Sequence, residues 1–548
     1  MRRIVFSVVL GLFCCAVFGA DKILRVTFQA AETGFDPAKV SDYYSGSVIE
    51  AIFDPLLTYD YVARPAKLVP NTVAALPAVT DGGRTYTVKI TPGIYFTADP
   101  AFRGAERELV ASDYVYSFRR FLDPKIHSPY AFLFAHLASV EAPDRYTLRI
   151  RLKEPDLNFS HVLAVPLTGA VAREAIEAYG EDTNSHPVGT GPFTLAKYVR
   201  SSKIVLQRNP SYRKQYFDGR KIPSIDGVEI SIMEETQSRW LAFQRGDTDI
   251  EYQLWDIAPT FMSPDGGLRP EFAKRGIRLD RTIDTEITYT YFNTNERIGN
   301  EANPLGGFSD EKLALRRAIA MSYKVDDQIR VIRKGQAVRA DYPIPPGVAG
   351  HEAAVHAPAP YDPRLANALL DRYGYKRGAD GYRTLPDGKP LVVRYSSLPT
   401  ERDRQFDELW KRSLDSIGVR MEVHKDRFPE LNKLENQCRL MMRTSAWIAD
   451  YPDGDNFMQL LYGPNSGQSN NACYRSAEYD RRYVKSRRLP DGPERNRLYR
   501  EMTRIMEIDG VWMLGDSRYR NALLQPRVRH FHKHPVLATE WLYVDLSE

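Results

Sequence analysis

The chain has 548 residues, 43% hydrophobic and 26% charged, enough for about three to four domain-sized units. Its formal charge of +5 comes from 75 Lys and Arg interspersed with 70 Asp and Glu, which excludes the concentrated basic face of a nucleic-acid binder. The 32 tyrosines and 24 phenylalanines supply a core and a favoured lining for adaptable binding sites.

In chain order, Met1 to Ala20 comes first. Arg2 and Arg3 precede an apolar run from Ile4 to Phe18. That run falls short of the ~20 residues a membrane helix needs and suits the core of a signal peptide. Val17 and Gly19 are the small residues a signal peptidase requires, so cleavage is expected near Gly19. Phe13 before Cys14 argues against lipidation. The later apolar stretch Val162 to Ala172 is broken by Pro166, so a soluble, exported mature chain is expected. That chain keeps only Cys438 and Cys473. In an oxidising compartment they are either one disulfide or two buried thiols, and two cysteines alone cannot build a structural zinc site.

Strands are predicted over Ile23–Thr27, Thr85–Ile90, Tyr146–Leu152, Ile204–Gln207 and Gly227–Ile232. A helix is predicted over Ala111–Phe121, with Tyr114, Val115, Phe118 and Phe121 at helical spacing and Asp123-Pro124 as its stop. Another runs from Glu234 to Arg245 and ends at Gly246. Asp310 to Arg333 holds two helical stretches, and Gly335 stops the second. Tyr361–Tyr373 and Gln405–Ile417 are helices closed by Gly374 and Gly418. Val419–His424 follows as a strand, and Glu494–Glu507 is a late helix. Ala340 to Pro363 is rich in Pro, Ala and Gly and reads as a long surface loop. Strands alternating with helices throughout predict a mixed α/β protein of several lobes.

The sequence contains no phosphate-binding Gly-rich loop, no dinucleotide fingerprint and no nucleophile elbow. His351 and His356 flank Glu352 like a zinc-protease helix. They are five residues apart, however, which turns a helix by about 500° and puts the imidazoles on different faces. His530, His532 and His534 alternate, so on a strand they would share one face and could hold a metal. Arg529 and Lys533 between them would repel a cation, which favours a solvated edge. Asp326 and Asp327 read as caps or surface charges.

Seven segments in order carry a family resemblance. They are Glu32-Thr33-Gly34-Phe35-Asp36-Pro37, Pro92 to Phe96, Ala111 to Phe118, and His186 to Val199 with Arg208 to Tyr212. Then come Phe243 to Asp249, Tyr291 to Asn295 with Leu315 to Ala320, and Trp447-Ile448-Ala449-Asp450-Tyr451-Pro452-Asp453-Gly454-Asp455-Asn456-Phe457. From about residue 22 onward the chain resembles the extracytoplasmic solute-binding proteins of oligopeptide, dipeptide and nickel ABC importers (family 5).

The resemblance implies an α/β, two-lobed clam-shell fold with an extra subdomain in lobe one. Residues 1–20 would be the signal peptide. Residues 21–288 would form lobe one, including the extra subdomain at about 61–184. Residues 289–514 would form lobe two, and 515–548 would return to lobe one. Ile287 to Phe292 would carry the first hinge segment. The resemblance also implies a periplasmic monomer that binds a short peptide, hands it to an inner-membrane permease, and needs no cofactor and no nucleic acid. Asp450 would hold the peptide ammonium. Trp447 would line a side-chain pocket, Ile448 and Ala449 would offer backbone groups, and Glu32 and Thr33 would face them across the cleft. Two features depart from the pattern: Ala446 stands where peptide binders often have Gly, and Arg443 is displaced from where a carboxylate-steering residue is expected. Two alternatives are a binder of haem, nickel or an opine-like amine on the same fold, and a metal-dependent hydrolase using the histidines.

Overall fold

The computed structural model describes residues 21–64, 66–352 and 360–547. The expected signal segment and His356 lie outside the described residues. Lobe one is built on a sheet whose strand order is Arg278–Ile283, Asp516–Leu524, Ile250–Tyr252, Ile23–Phe28, Gly227–Ile232, Lys203–Arg208 and Phe193–Val199. Its central strand, ILRVTF, alternates half-buried and buried positions before ending fully buried. It pairs in parallel with all of Gly227–Ile232. Lobe two has a five-stranded sheet in the order Arg420–Lys425, Val392–Ser397, Met442–Ile448, Glu286–Phe292 and Trp512–Leu514. Glu286–Phe292 is buried at every position, which fits its run of β-branched and aromatic residues.

The two sheets exchange chain at two places. Arg278–Ile283 belongs to lobe one, and Glu286–Phe292 to lobe two. Trp512–Leu514 pairs in lobe two, Asp516–Arg518 pairs with Ala337–Arg339, and from Tyr519 onward the strand pairs with Arg278–Ile283 of lobe one. Gly515 is forced by packing, because a Cβ there would lie 2.9 Å from the Thr288 carbonyl oxygen. Ion pairs surround these crossings: half-buried Arg518 with buried Glu286, and the buried pairs Arg520 with Asp284 and Arg333 with Asp516.

The extra subdomain of lobe one carries the antiparallel sheet Ala78–Thr80, Thr85–Lys89, Thr147–Leu152, Leu137–Glu141. Helix Ala111–Phe121 forms over the expected residues and buries Tyr114, Phe118 and Phe121. In lobe two, helix Glu401–Ser416 starts four residues before its predicted first turn because Thr400 caps it, accepting from the Asp403 N–H at 3.1 Å. Cys438 and Cys473 form a disulfide within lobe two, with Cα atoms 6.0 Å apart. Among the described residues no helix is long and apolar enough to cross a membrane.

Candidate functional site

The strand Met442–Ile448 runs antiparallel to Glu286–Phe292, with Trp447 opposite Ile287 and Ile448 opposite Glu286. The segment singled out in the sequence therefore leaves lobe two beside the first crossing. The Ala449 N–H donates to the Thr285 carbonyl at 2.8 Å and fixes that exit.

Beyond it the loop folds around Asn456, which is wholly buried. Asn456 Oδ1 accepts from the Trp447 indole N–H at 2.9 Å and from the Asp450 N–H at 3.0 Å. Its Nδ2 donates to Asp450 Oδ2 at 2.9 Å. The Tyr130 hydroxyl of the extra subdomain donates to Asp450 Oδ1 at 3.1 Å. Asp450 is thus held by neutral donors from both lobes. No Lys, Arg or His among the described residues pairs with it. It keeps partial solvent exposure, yet the surrounding protein desolvates the carboxyl and raises it from 3.8 to about 6, against the lowering effect of its two hydrogen bonds. Next to it, Tyr451 stacks on His161 of the extra subdomain with ring centroids 5.8 Å apart.

The other expected residues are placed as follows. Trp447 and Ile448 are half-buried, and Ala449 is buried. Glu32 is buried against lobe one, accepting from the Tyr198 hydroxyl at 2.7 Å and the Ser201 N–H at 2.9 Å, and its Oε2 has no partner among the described residues. Thr33 is exposed and donates to Asp42 Oδ2 at 2.5 Å. Neither hydrogen-bonds the Trp447–Asp450 segment, although the Asp42 charge reaches the Tyr130 hydroxyl that holds Asp450.

Arg443 is not a ligand-steering cation. It is buried and pairs with Glu435 at 2.6 Å inside lobe two. The histidine trio does not converge either. Strand pairing ends at Arg529, so the alternation does not map to one face. His530 and His532 are exposed, whereas His534 is buried and accepts from the Val536 and Leu537 N–H groups through Nδ1. Burial and the neighbouring Lys533 and Arg64 charges lower His534 to about 3. His351 sits in a loop with Nδ1 2.7 Å from the Ile344 carbonyl oxygen.

Sequence reasoning missed Tyr130 and the bonding role of Asn456 within the Trp447-to-Phe457 motif. Arg402 opens the lobe-two helix Glu401–Ser416, pairs with no acid among the described residues, and projects its field onto Tyr44 and Arg239 of lobe one.

Two lobes joined by two adjacent crossings, with a polar loop of one lobe bonded by the other, define a clam-shell ligand binder. The sequence matches the bacterial extracellular solute-binding proteins, family 5, over residues 67–469, and the chain belongs to that family. It is 28% identical over 523 residues to the "Di/tripeptide-binding protein 2" of Pseudomonas aeruginosa, covering 91% of this chain and 90% of that protein. It is 26% identical over 529 residues to "Heme-binding protein A" of Haemophilus influenzae, covering 92% of this chain and 89% of the relative. Among solved structures, the periplasmic binding protein DppA from Helicobacter pylori, in complex with the peptide STSA, superposes with a TM-score of 0.82. The identity is 22%, and the match covers 96% of this chain and 98% of that one.

Proposed function

We propose that this chain is the periplasmic substrate-binding component of an ABC importer, capturing short peptides between its lobes and delivering them to an inner-membrane permease. The observation that carries the reading is Asp450, a partly exposed carboxylate between the lobes with neutral hydrogen-bond donors and, among the described residues, no paired cation. A peptide ammonium supplies the missing positive charge, since an unpaired carboxylate in a desolvated site is costly. Trp447, Ile448 and Ala449 border that position. Arg402, which pairs with no acid among the described residues, offers a cation to a ligand carboxylate. The relative that binds di- and tripeptides by name supports the peptide class. In this reading the first twenty residues are a cleaved signal, the protein works as a monomer, and it binds without cutting.

Thermal unfolding with a pool of di- and tripeptides tests the reading. Ligand at 100 times its dissociation constant adds about 2.7 kcal/mol to the folded state, and the peptides are expected to be recovered intact. A shift with haem or nickel and none with peptides would refute the proposal, and so would chelator-sensitive hydrolysis.

A further inference from the structure

The extra subdomain meets lobe two through a second set of contacts, away from Asp450's carboxylate. Its segment from Glu154 to Asn158 follows the strand Thr147–Leu152 and faces the helices Ala477–Ser486 and Pro493–Asp509. Arg487, just past the first helix, donates to Asp156, and its carbonyl accepts from the Leu157 N–H at 3.2 Å. Arg488 pairs with Glu154.

Deeper in, Asn158 is inserted between two lobe-two partners. Its Oδ1 accepts from Arg495 Nη1 at 2.9 Å, and its Nδ2 donates to Asp453 Oδ1 at 3.2 Å. Arg495 also donates to Asp453 Oδ2 at 2.7 Å, and Tyr499 and the Asp455 N–H both donate to Asp453 Oδ1. Asn158, Asp453 and Arg495 are all buried.

Asp453 lies three residues after Asp450 in the same loop. One end of that loop is held across the lobes by Tyr130, the other by Asn158. The Asp453–Arg495 pair is internal to lobe two, whereas the Asn158 bonds and the Arg487–Asp156 pair cross between the lobes. Opening would remove the crossing bonds and leave Asp453 and Arg495 only their lobe-two partners Tyr499, the Asp455 N–H and Asp491. Closure and loop geometry are therefore tied together by residues that need not touch a ligand.

We propose that Asp156 and Asn158, with Arg487 and Arg495, form a closure latch that sets the closed population and steadies the loop carrying Asp450. They are positioning residues for ligand capture. The proposal rests on the reading of Asp450 as the ligand's partner, but its physical core is the interface itself. Apparent affinity scales with the fraction of protein in the binding-competent form, so the latch tunes affinity for any occupant of the cleft.

The test uses Asn158→Ala and Arg487→Met in the mature protein, with Arg487→Lys as the conservative variant. Hydrogen bonds to charged groups correspond to roughly 10- to 150-fold in an equilibrium constant. Tri-alanine is therefore expected to dissociate from Asn158→Ala faster by about that factor, with its association rate changed by no more than about threefold. Small-angle scattering of the protein alone is expected to be more extended for Asn158→Ala and Arg487→Met than for wild type, with Arg487→Lys in between. A merely structural role would lower the unfolding temperature and leave both readouts in place. Scattering profiles that superimpose on wild type would overturn the latch, and so would an unchanged tri-alanine dissociation rate. A wild type that does not bind tri-alanine counts against the peptide reading, and the scattering comparison then decides the latch by itself.

Discussion

Replacing Asp450 by Asn removes one charge from the interlobe site and almost no volume. The asparagine retains an acceptor for Tyr130, now 3.1 Å from Asp450 Oδ1. Its new amide meets Asn456, whose side chain can turn over only by giving up the Trp447 indole and Asp450 backbone bonds. The folded chain should tolerate this, because the ionised aspartate is itself disfavoured. Burial raises the carboxyl from 3.8 to about 6, equivalent to at most about 3 kcal/mol, and partial exposure reduces that further. The sign follows from proton binding. The folded state holds the proton more tightly than the unfolded chain, so this group's contribution to stability grows as pH falls from about 6 towards 4. A peptide ammonium needs the ionised form, so wild-type affinity should fall as pH drops below about 6. At pH 7 the substitution should cost about 2 to 5 kcal/mol of binding, roughly 30- to 5,000-fold. Calorimetry with tri-alanine and its N-acetyl form at pH 5, 6 and 7, on both proteins, measures all of this. Acetylation should cost the wild type a similar amount, and the two losses should not add, since both remove one ion pair. Full additivity, a wild type indifferent to acetylation, or a variant with an unchanged pH profile would refute the assignment of Asp450 to the amine.

Two further outcomes follow from local geometry. Asn456→Ala leaves the Trp447 indole N–H and the Asp450 N–H without their acceptor, and should cost about 2 to 4 kcal/mol in urea unfolding together with most of the peptide affinity. Reducing the Cys438–Cys473 bridge, which closes a separation of 35 residues, should lower stability by about 3 to 4 kcal/mol, read as a fall in the unfolding temperature, with tri-alanine affinity unchanged at temperatures where the reduced protein stays folded.

What the sequence made legible was set by how local its physical cause is. Strand Gly227–Ile232 forms over the predicted residues because Val228, Ile230 and Ile232 alternate with other residues along it, after the turn residues Ser224 and Asp226. Helix Thr236–Arg245 stops where Gly246 supplies a left-handed conformation, φ 78°. Helix Phe428–Asn436 went unpredicted: its apolar positions are few, and it buries Leu431 and the charged Glu435. For the histidines at 530, 532 and 534 the sequence reading favours a solvated edge over a metal site, and His530 and His532 are exposed. Alternation implies a shared face only in a strand, and the strand ends at Arg529. The cysteines left two outcomes open because pairing depends on a fold that brings residues 35 apart to a Cα separation of 6.0 Å.

The site divides along the same line. Asp450 and Trp447 could be singled out because they sit in one short motif. Tyr130 could not, because its bond to Asp450 spans 320 residues, and Asn158 reaches Asp453 across 295. Nothing local around Tyr130 or in Asp156-Leu157-Asn158 marks these as interface residues. Only the insertion of the extra subdomain between the first strands of lobe one and the return through residue 283 turns them toward lobe two. This division has a functional consequence. Chemistry that recognises a ligand's charge can reside in one loop and be carried by a motif. The free energy of closure must instead come from residues on both sides of the cleft, in segments far apart in the chain. Under the proposed assignment the two meet at one loop, where Asp450 and Asp453 lie three residues apart and each is bonded by a different residue of the opposite lobe.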